Sequence, residues 1–138
     1  MKKREPVRHI MSSDPYTIAE TETLHDAVHL IRKHKIRHLP VVNGKEISGI
    51  ISSSDINRLT FGKLFDNQDG ADEAVLEMLS IPQVMSKNVK TVAPDDTIKE
   101  VAEIFATKDF HSLPVVEDGK LVGIVTTTDI IKYLLDQY

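Results

Sequence analysis

Apolar and polar positions along the chain follow one order twice. The first pass opens with a short extended piece, Tyr16-Thr17-Ile18-Ala19. Leu24, Ala27, Val28 and Ile31 then recur at helical spacing and predict an amphipathic helix whose apolar stripe is core. Thr23 and Asp26 stand at N-cap and N3 positions, the hydroxyl-plus-acid spacing of a capping box. Two β-branched runs follow, Leu39 to Val42 and Ile47 to Ile51, split by Asn43-Gly44, and predict a hairpin. A second helix is expected from Ser52 and Asp55, again at cap spacing, with Ile56 and Leu59 on its apolar face. The second pass repeats each step. Lys90-Thr91-Val92-Ala93 is the extended piece, and Thr97 and Glu100 are the cap pair. Ile98, Val101, Ala102 and Phe105 form the stripe, and Leu113 to Val116 with Leu121 to Val125 form the hairpin around Glu117-Asp118-Gly119. Thr126 and Asp129 then open a helix carrying Ile130, Ile131, Leu134 and Leu135.

Each pass therefore predicts strand, helix, strand, strand, helix. The match is a true repeat: Ile36-Arg37-His38-Leu39-Pro40-Val41-Val42 recurs 74 positions later as Phe110-His111-Ser112-Leu113-Pro114-Val115-Val116, and the offset holds without a gap from Ile10/Val84 to Ile56/Ile130. Such a unit cannot bury its apolar face alone, so two copies are expected to close a shared core. Pro40 and Pro114 lack an N–H, so their strand must begin at a sheet edge or leave its first residue unpaired. Residues 61 to 83 have no counterpart. Asp66-Asn67-Gln68-Asp69-Gly70 reads as a loop, and Ala71 to Leu79 as a connecting helix with Ala74, Val75, Met78 and Leu79 at helical spacing, ended by Pro82.

Composition narrows the chemistry. The 138 residues suit one domain or two small halves. The absence of cysteine excludes disulfides, thiolate metal sites and a Cys nucleophile, and fits a reducing, cytoplasmic location. No apolar run reaches the roughly 18 residues of a membrane span, and no signal peptide is visible. Net charge is −4, and the basic residues are scattered rather than clustered as in a nucleic-acid footprint. No partner nucleic acid or membrane is expected.

The two motifs His38-Leu39-Pro40-Val41-Val42 with Gly49-Ile50-Ile51-Ser52 and Asp55, and Leu113-Pro114-Val115-Val116 with Gly123-Ile124-Val125-Thr126 and Asp129, together with the leaders Ile10-Met11-Ser12 and Val84-Met85-Ser86, point to a family. The chain resembles a tandem pair of CBS domains, a Bateman module, and more narrowly a stand-alone CBS domain-containing protein. The resemblance covers roughly residues 7 to 60 and 81 to 136. It divides the chain into repeat 1 at 7–60, a linker with a connecting helix at 61–83, and repeat 2 at 84–138. It implies an α/β (α+β) fold of two β-α-β-β-α repeats packed about a pseudo-twofold axis, with two clefts between them, and a homodimer. It further implies a non-catalytic regulatory or sensor module. Its expected ligand is an adenosyl compound, AMP, ADP, ATP or S-adenosyl methionine, with no required cofactor. Its output is expected to pass to an effector protein or to its own oligomer. The alternative is an interaction or scaffold module with no physiological nucleotide.

The resemblance also assigns roles. Asp55 and Asp129 are expected to accept the ribose hydroxyls, with Ser52 and Thr126 reaching ribose or phosphate. Capping by the same residues is the simpler role and coexists with ligand contact. A helix start also offers free N–H groups and a positive dipole end to an anion. Thr17, Ile18, Ala19, Thr91, Val92 and Ala93 are expected to read adenine, largely through backbone. Arg37, His38, His111 and Ser112 are expected to face phosphate. Arg37 is a permanent cation, so the more highly charged ligand is expected beside it. His25 and His29 stand at i, i+4, with His34 and His38 beyond. No acid or third His is placed with them as clearly, so solvated histidines are expected and metal is not. Ser52 to Ser54 and Thr126 to Thr128 have no base at a recognisable spacing, so no catalysis is expected.

Overall fold

The computed structural model describes residues 4–59 and 69–138. A 3₁₀ turn (Val7–His9) is followed by β1 (Ser12–Ser13), β2 (Ile18–Ala19), α1 (Leu24–His34), β3 (His38–Asn43), β4 (Glu46–Ser52) and α2 (Ser53–Leu59). Then come α3 (Asp69–Met78), α4 (Ile81–Val84), α5 (Ile98–Thr107), β5 (Ser112–Glu117), β6 (Lys120–Thr126) and α6 (Thr127–Asp136). The chain divides into two compact units. One, the Asp55 unit, is Tyr16–Asn88; the other, the Asp129 unit, joins the residues up to Pro15 to Val89–Tyr138.

The units are not the sequence repeats, because the leaders cross over. β1, which precedes the first repeat's helices, pairs antiparallel with β6 of the second, Ser12 opposite Ile124 and Ser13 opposite Gly123. Ser86, the matching position ahead of the second repeat, bridges Ile50 in β4 of the first, with both backbone bonds made (3.1 and 2.9 Å). Two glycines admit these crossings. A Cβ on Gly49 would stand 2.6 Å from Met85 Sδ and 2.7 Å from the Ser86 carbonyl. One on Gly123 would stand 2.6 Å from Met11 Sδ and 2.9 Å from the Ser12 carbonyl. Each glycine marks a place where another backbone lies against the strand.

In the Asp55 unit the sheet order is β2-β3-β4, with β2 parallel to β3 and β3 antiparallel to β4. In the Asp129 unit the order is β1-β6-β5, and the counterpart of β2 is a single parallel bridge, Val92 to Val115. The prolines lie inside β3 and β5 rather than at their ends. Each is tolerated because the parallel neighbour begins past it: Ile18 stands opposite Val41, and Val92 donates to the Pro114 carbonyl at 3.0 Å. A strand's N–H and C=O point the same way, so the missing proline N–H faces the side where that neighbour has not yet started. Both hairpins carry a bulge at equivalent places, between Val41 and Val42 and between Val115 and Val116. Their tight turns are Gly44-Lys45 and Asp118-Gly119. Asp118 and Gly119 both have positive φ (53° and 78°), the requirement of a type I′ turn.

Each unit has its own buried cluster. Leu24, Ala27, Val28 and Ile31 of α1 lie with Leu39, Val41, Ile51 and Ile56; Ile98 and Val101 of α5 lie with Leu113, Val115, Val125, Ile130 and Val7. The expected stripes are thus core, with Ala102 and Phe105 partly buried beside theirs. Other expectations are corrected. On α6, Ile130 and Tyr133 are buried, whereas Ile131, Leu134 and Leu135 are 56%, 39% and 67% exposed; the helical phase is set by the tyrosine, not by the neighbouring aliphatics. On α3, Leu76 is the residue delivered to the core and Met78 is exposed. Asp69 and Gly70 are helical rather than loop, while Asp66, Asn67 and Gln68 lie outside the described residues. Pro82 does not end α3, which stops at Met78. It sits in the first turn of α4, where its missing N–H is one that a helix leaves unpaired.

Candidate functional site

The predicted polar residues gather at one end of each hairpin. His38 is the first residue of β3 and stands opposite Ser52, the last of β4; Ser112 stands likewise opposite Thr126. The ladder is extended one step by matching bonds. Ser53 N–H donates to the Arg37 carbonyl (2.8 Å), and Thr127 N–H to the His111 carbonyl (3.1 Å). Each bond fastens the first residue of a helix to the residue ahead of the Leu-Pro strand. Arg37 and His38 therefore share a neighbourhood with Ser52 and Asp55, and His111 and Ser112 share one with Thr126 and Asp129. Thr17 and Thr91 enter from the same end, about 7 Å short of the hairpin's first residue by strand rise.

Both cap pairs are reciprocal. Ser52 N–H donates to Asp55 Oδ2 (2.8 Å) and Asp55 N–H to Ser52 Oγ (3.1 Å). Thr126 N–H donates to Asp129 Oδ2 (2.8 Å) and Asp129 N–H to Thr126 Oγ1 (3.2 Å). These are capping boxes with an Asp in place of the usual Glu or Gln. They leave the outward carboxylate oxygen to other partners. Asp55 is 9% exposed and its Oδ1 accepts from Arg58 Nη2; Asp129 is less buried.

The remaining predicted residues are less alike. Arg37 and His111 are exposed and His38 is half-buried, whereas Ser112 is 8% exposed and faces inward. Of the positions expected to read adenine, Ile18 and Val92 put their side chains into the cores. Both Val92 backbone groups are engaged by Pro114 and Val116. Both Ala93 backbone groups are engaged by Asp96, whose Oδ2 takes the Ala93 N–H at 2.8 Å. The Ala19 carbonyl accepts from Glu22 N–H. Among the described residues, the backbone groups of Thr17 and Thr91 have no such partners.

His25 and His29 lie on the outer side of α1, and no three His, Asp or Glu side chains converge among the described residues. His34 instead stacks on Tyr16, ring centroids 3.7 Å apart and 13° from parallel. The equivalent positions in the second repeat are Lys108 and Lys90. They help line an open groove of about 710 Å³ with Glu100, Glu103, Ile104, Thr107 and Phe110, in which no predicted site residue takes part. Among the described residues no helix is long and apolar enough to cross a membrane.

The CBS domain family model matches residues 7–61 and 81–136. The chain is a tandem CBS domain pair. It is 30% identical over 130 residues to a homoserine O-acetyltransferase of Methanohalobium evestigatum; that match takes in 93% of this chain and 24% of the relative. The chain spans from about a quarter to about half the length of the first curated relatives it matches. Among solved structures, the CBS domain pair of protein MJ0100, in complex with 5′-methylthioadenosine and S-adenosyl-L-methionine, superposes with a TM-score of 0.77 at 30% identity, covering 96% of this chain and 98% of that one. The CBS domain of a CBS domain-containing membrane protein from Sphaerobacter thermophilus also gives 0.77 at 30% identity, covering 94% and 88%. The mixed α/β fold, with two small sheets flanked by helices, is that of these CBS pairs.

Proposed function

We propose that this CBS pair is a non-catalytic regulatory module that binds an adenosyl ligand of the AMP, ADP, ATP or S-adenosyl methionine class. Ribose falls to the Asp55 and Asp129 motifs, adenine to the backbone at Thr17 and Thr91, and phosphate, where present, to Arg37, His38 and His111. The observation that carries this reading is the state of Asp129. Its Oδ2 is held by the cap, and its Oδ1 has no partner among the described residues, in a half-buried side chain at the start of a ten-residue helix. A carboxylate oxygen that no protein donor occupies is an acceptor of the kind a vicinal diol needs. The 30%-identical MJ0100 pair, solved with two adenosyl compounds, supports the same class. A non-catalytic role fits the use of both carboxylates as caps rather than as an acid/base pair.

A thermal-denaturation panel of adenosine compounds tests this. A binding compound at 100 times its dissociation constant is expected to stabilise the fold by about 2.7 kcal/mol, and to be recovered chemically unchanged. Absence of a shift with every compound would favour the second reading, an interaction module that forms a homodimer or docks an effector. One observation favours that reading: Ile131, Leu134 and Leu135 line one face of α6 at i, i+3 and i+4, all exposed. Sedimentation of the wild type against Leu135→Asp would reveal such a self-association.

A further inference from the structure

Asp55 and Asp129 hold the same place in two copies of one motif, yet their carboxylates differ in state. The inner oxygen of each accepts a cap N–H at 2.8 Å. The outer oxygen of Asp55 accepts from Arg58, three residues along α2. The residue at the matching place on α6 is Lys132, which forms no ion pair with Asp129 among the described residues. A guanidinium presents a planar fork that fits a carboxylate, whereas a lysine offers a strongly hydrated point charge on a flexible stem. The substitution of one cation for the other therefore decides whether the ribose acceptor is already taken.

We propose that Arg58 is the resident occupant of the ribose acceptor in the Asp55 unit, so that an uncharged adenosyl ligand fills the Asp129 site first and reaches Asp55 only by displacing Arg58. The proposal rests on the adenosyl-binding reading above and goes beyond it, because it ranks the two sites and names the side chain that ranks them. The burial of the pair fits a displaceable cover. The Asp55 side chain is 10% exposed and that of Arg58 76%, so the guanidinium covers a buried carboxylate from the solvent side. An ion pair with one member in water is weak, and its displacement is expected to lower affinity about five-fold.

The test is calorimetric titration with 5′-methylthioadenosine, which carries no phosphate to draw Arg58 away. Asp129→Asn leaves the Asp55 site alone, and Asp55→Asn leaves the Asp129 site alone; asparagine keeps a cap acceptor, and a thermal melt of each variant checks the fold. In the Asp129→Asn background, Arg58→Ala and the longer Arg58→Gln are both expected to raise affinity about five-fold. In the Asp55→Asn background the same changes are expected to leave affinity as it was. Equal affinity of the two sites in the parent backgrounds, or no gain from either Arg58 change with Asp55 as the remaining site, would overturn the proposal while leaving the adenosyl reading standing. Failure of the wild type to bind 5′-methylthioadenosine, S-adenosyl methionine or AMP would remove both.

Discussion

A single residue type caps three helix starts in three different surroundings. Asp26, Asp55 and Asp129 all close a box with the hydroxyl residue three positions before. Asp26 is exposed and is not among the predicted site residues, so its box is the one with a structural role only. The Thr23 hydroxyl, then the Thr23 backbone N–H, hold its carboxyl below the ordinary value of 3.8. A carboxyl whose folded pKa is depressed contributes stability that is complete above its unfolded value and is lost as pH falls through the folded one. Asp26→Asn is therefore expected to flatten the acid limb of the stability–pH curve below about pH 4. Urea midpoints at pH 3 and pH 6 would check this: the gap between wild type and variant should be wider at pH 6. A gap of equal width at both would show that the box does not titrate. The boxes were legible in the sequence because spacing alone specifies them. The Arg58–Asp55 pair was not, since any Asp and Arg three apart satisfy the pattern and only the fold shows Asp55 buried and turned toward Arg58.

At the scale of elements, the hairpins and first helices follow from apolar periodicity, and the structure places them within a residue or two of expectation. Departures occur where a neighbour outvotes the local pattern. On α6, which carries Ile130, Ile131, Leu134 and Leu135, Tyr133 reaches the core and donates to Glu5 Oε1 at 2.9 Å, while Ile131 and Leu135 are exposed. The leaders Ile10-Met11-Ser12 and Val84-Met85-Ser86 were legible as a repeat; their crossed pairing was not, because two-residue strands carry no periodicity. The crossing predicts the behaviour of Gly123. An added methyl there meets Met11 Sδ, which can swing away, and the Ser12 carbonyl, which is held by its pairing with β6. Gly123→Ala is expected to cost about 1–3 kcal/mol by overpacking, and Gly123→Ala with Met11→Ala to recover only part of it. Full recovery on denaturant titration would place the whole clash on the thioether.

For the whole molecule, the crossing means that a residue early in the chain stabilises its far end. Val7 is fully buried, in the cluster with Val101, Leu113, Val115 and Val125. Its segment is tied there by Val7 N–H to the Asp96 carbonyl (2.7 Å), Arg8 N–H to the Pro94 carbonyl (3.1 Å), Ile98 N–H to the Glu5 carbonyl (2.8 Å) and an ion pair between Arg8 and Asp95. Sequence repeats alone would assign Val7 to the half that contains Asp55; the packing assigns it to the half that contains Asp129. Val7→Ala removes two buried methyl groups, which is expected to cost about 2 kcal/mol with the cavity included. Native-state hydrogen exchange can locate that loss, because cooperative units open separately when their contacts are separate. Amides of β5, β6 and α6 are expected to lose protection by roughly 30-fold, while those of β3 and β4 change little. An equal loss in both hairpins would mean that the two units open as one. A loss confined to β3 and β4 would return Val7 to its own repeat and contradict the crossing on which the fold depends.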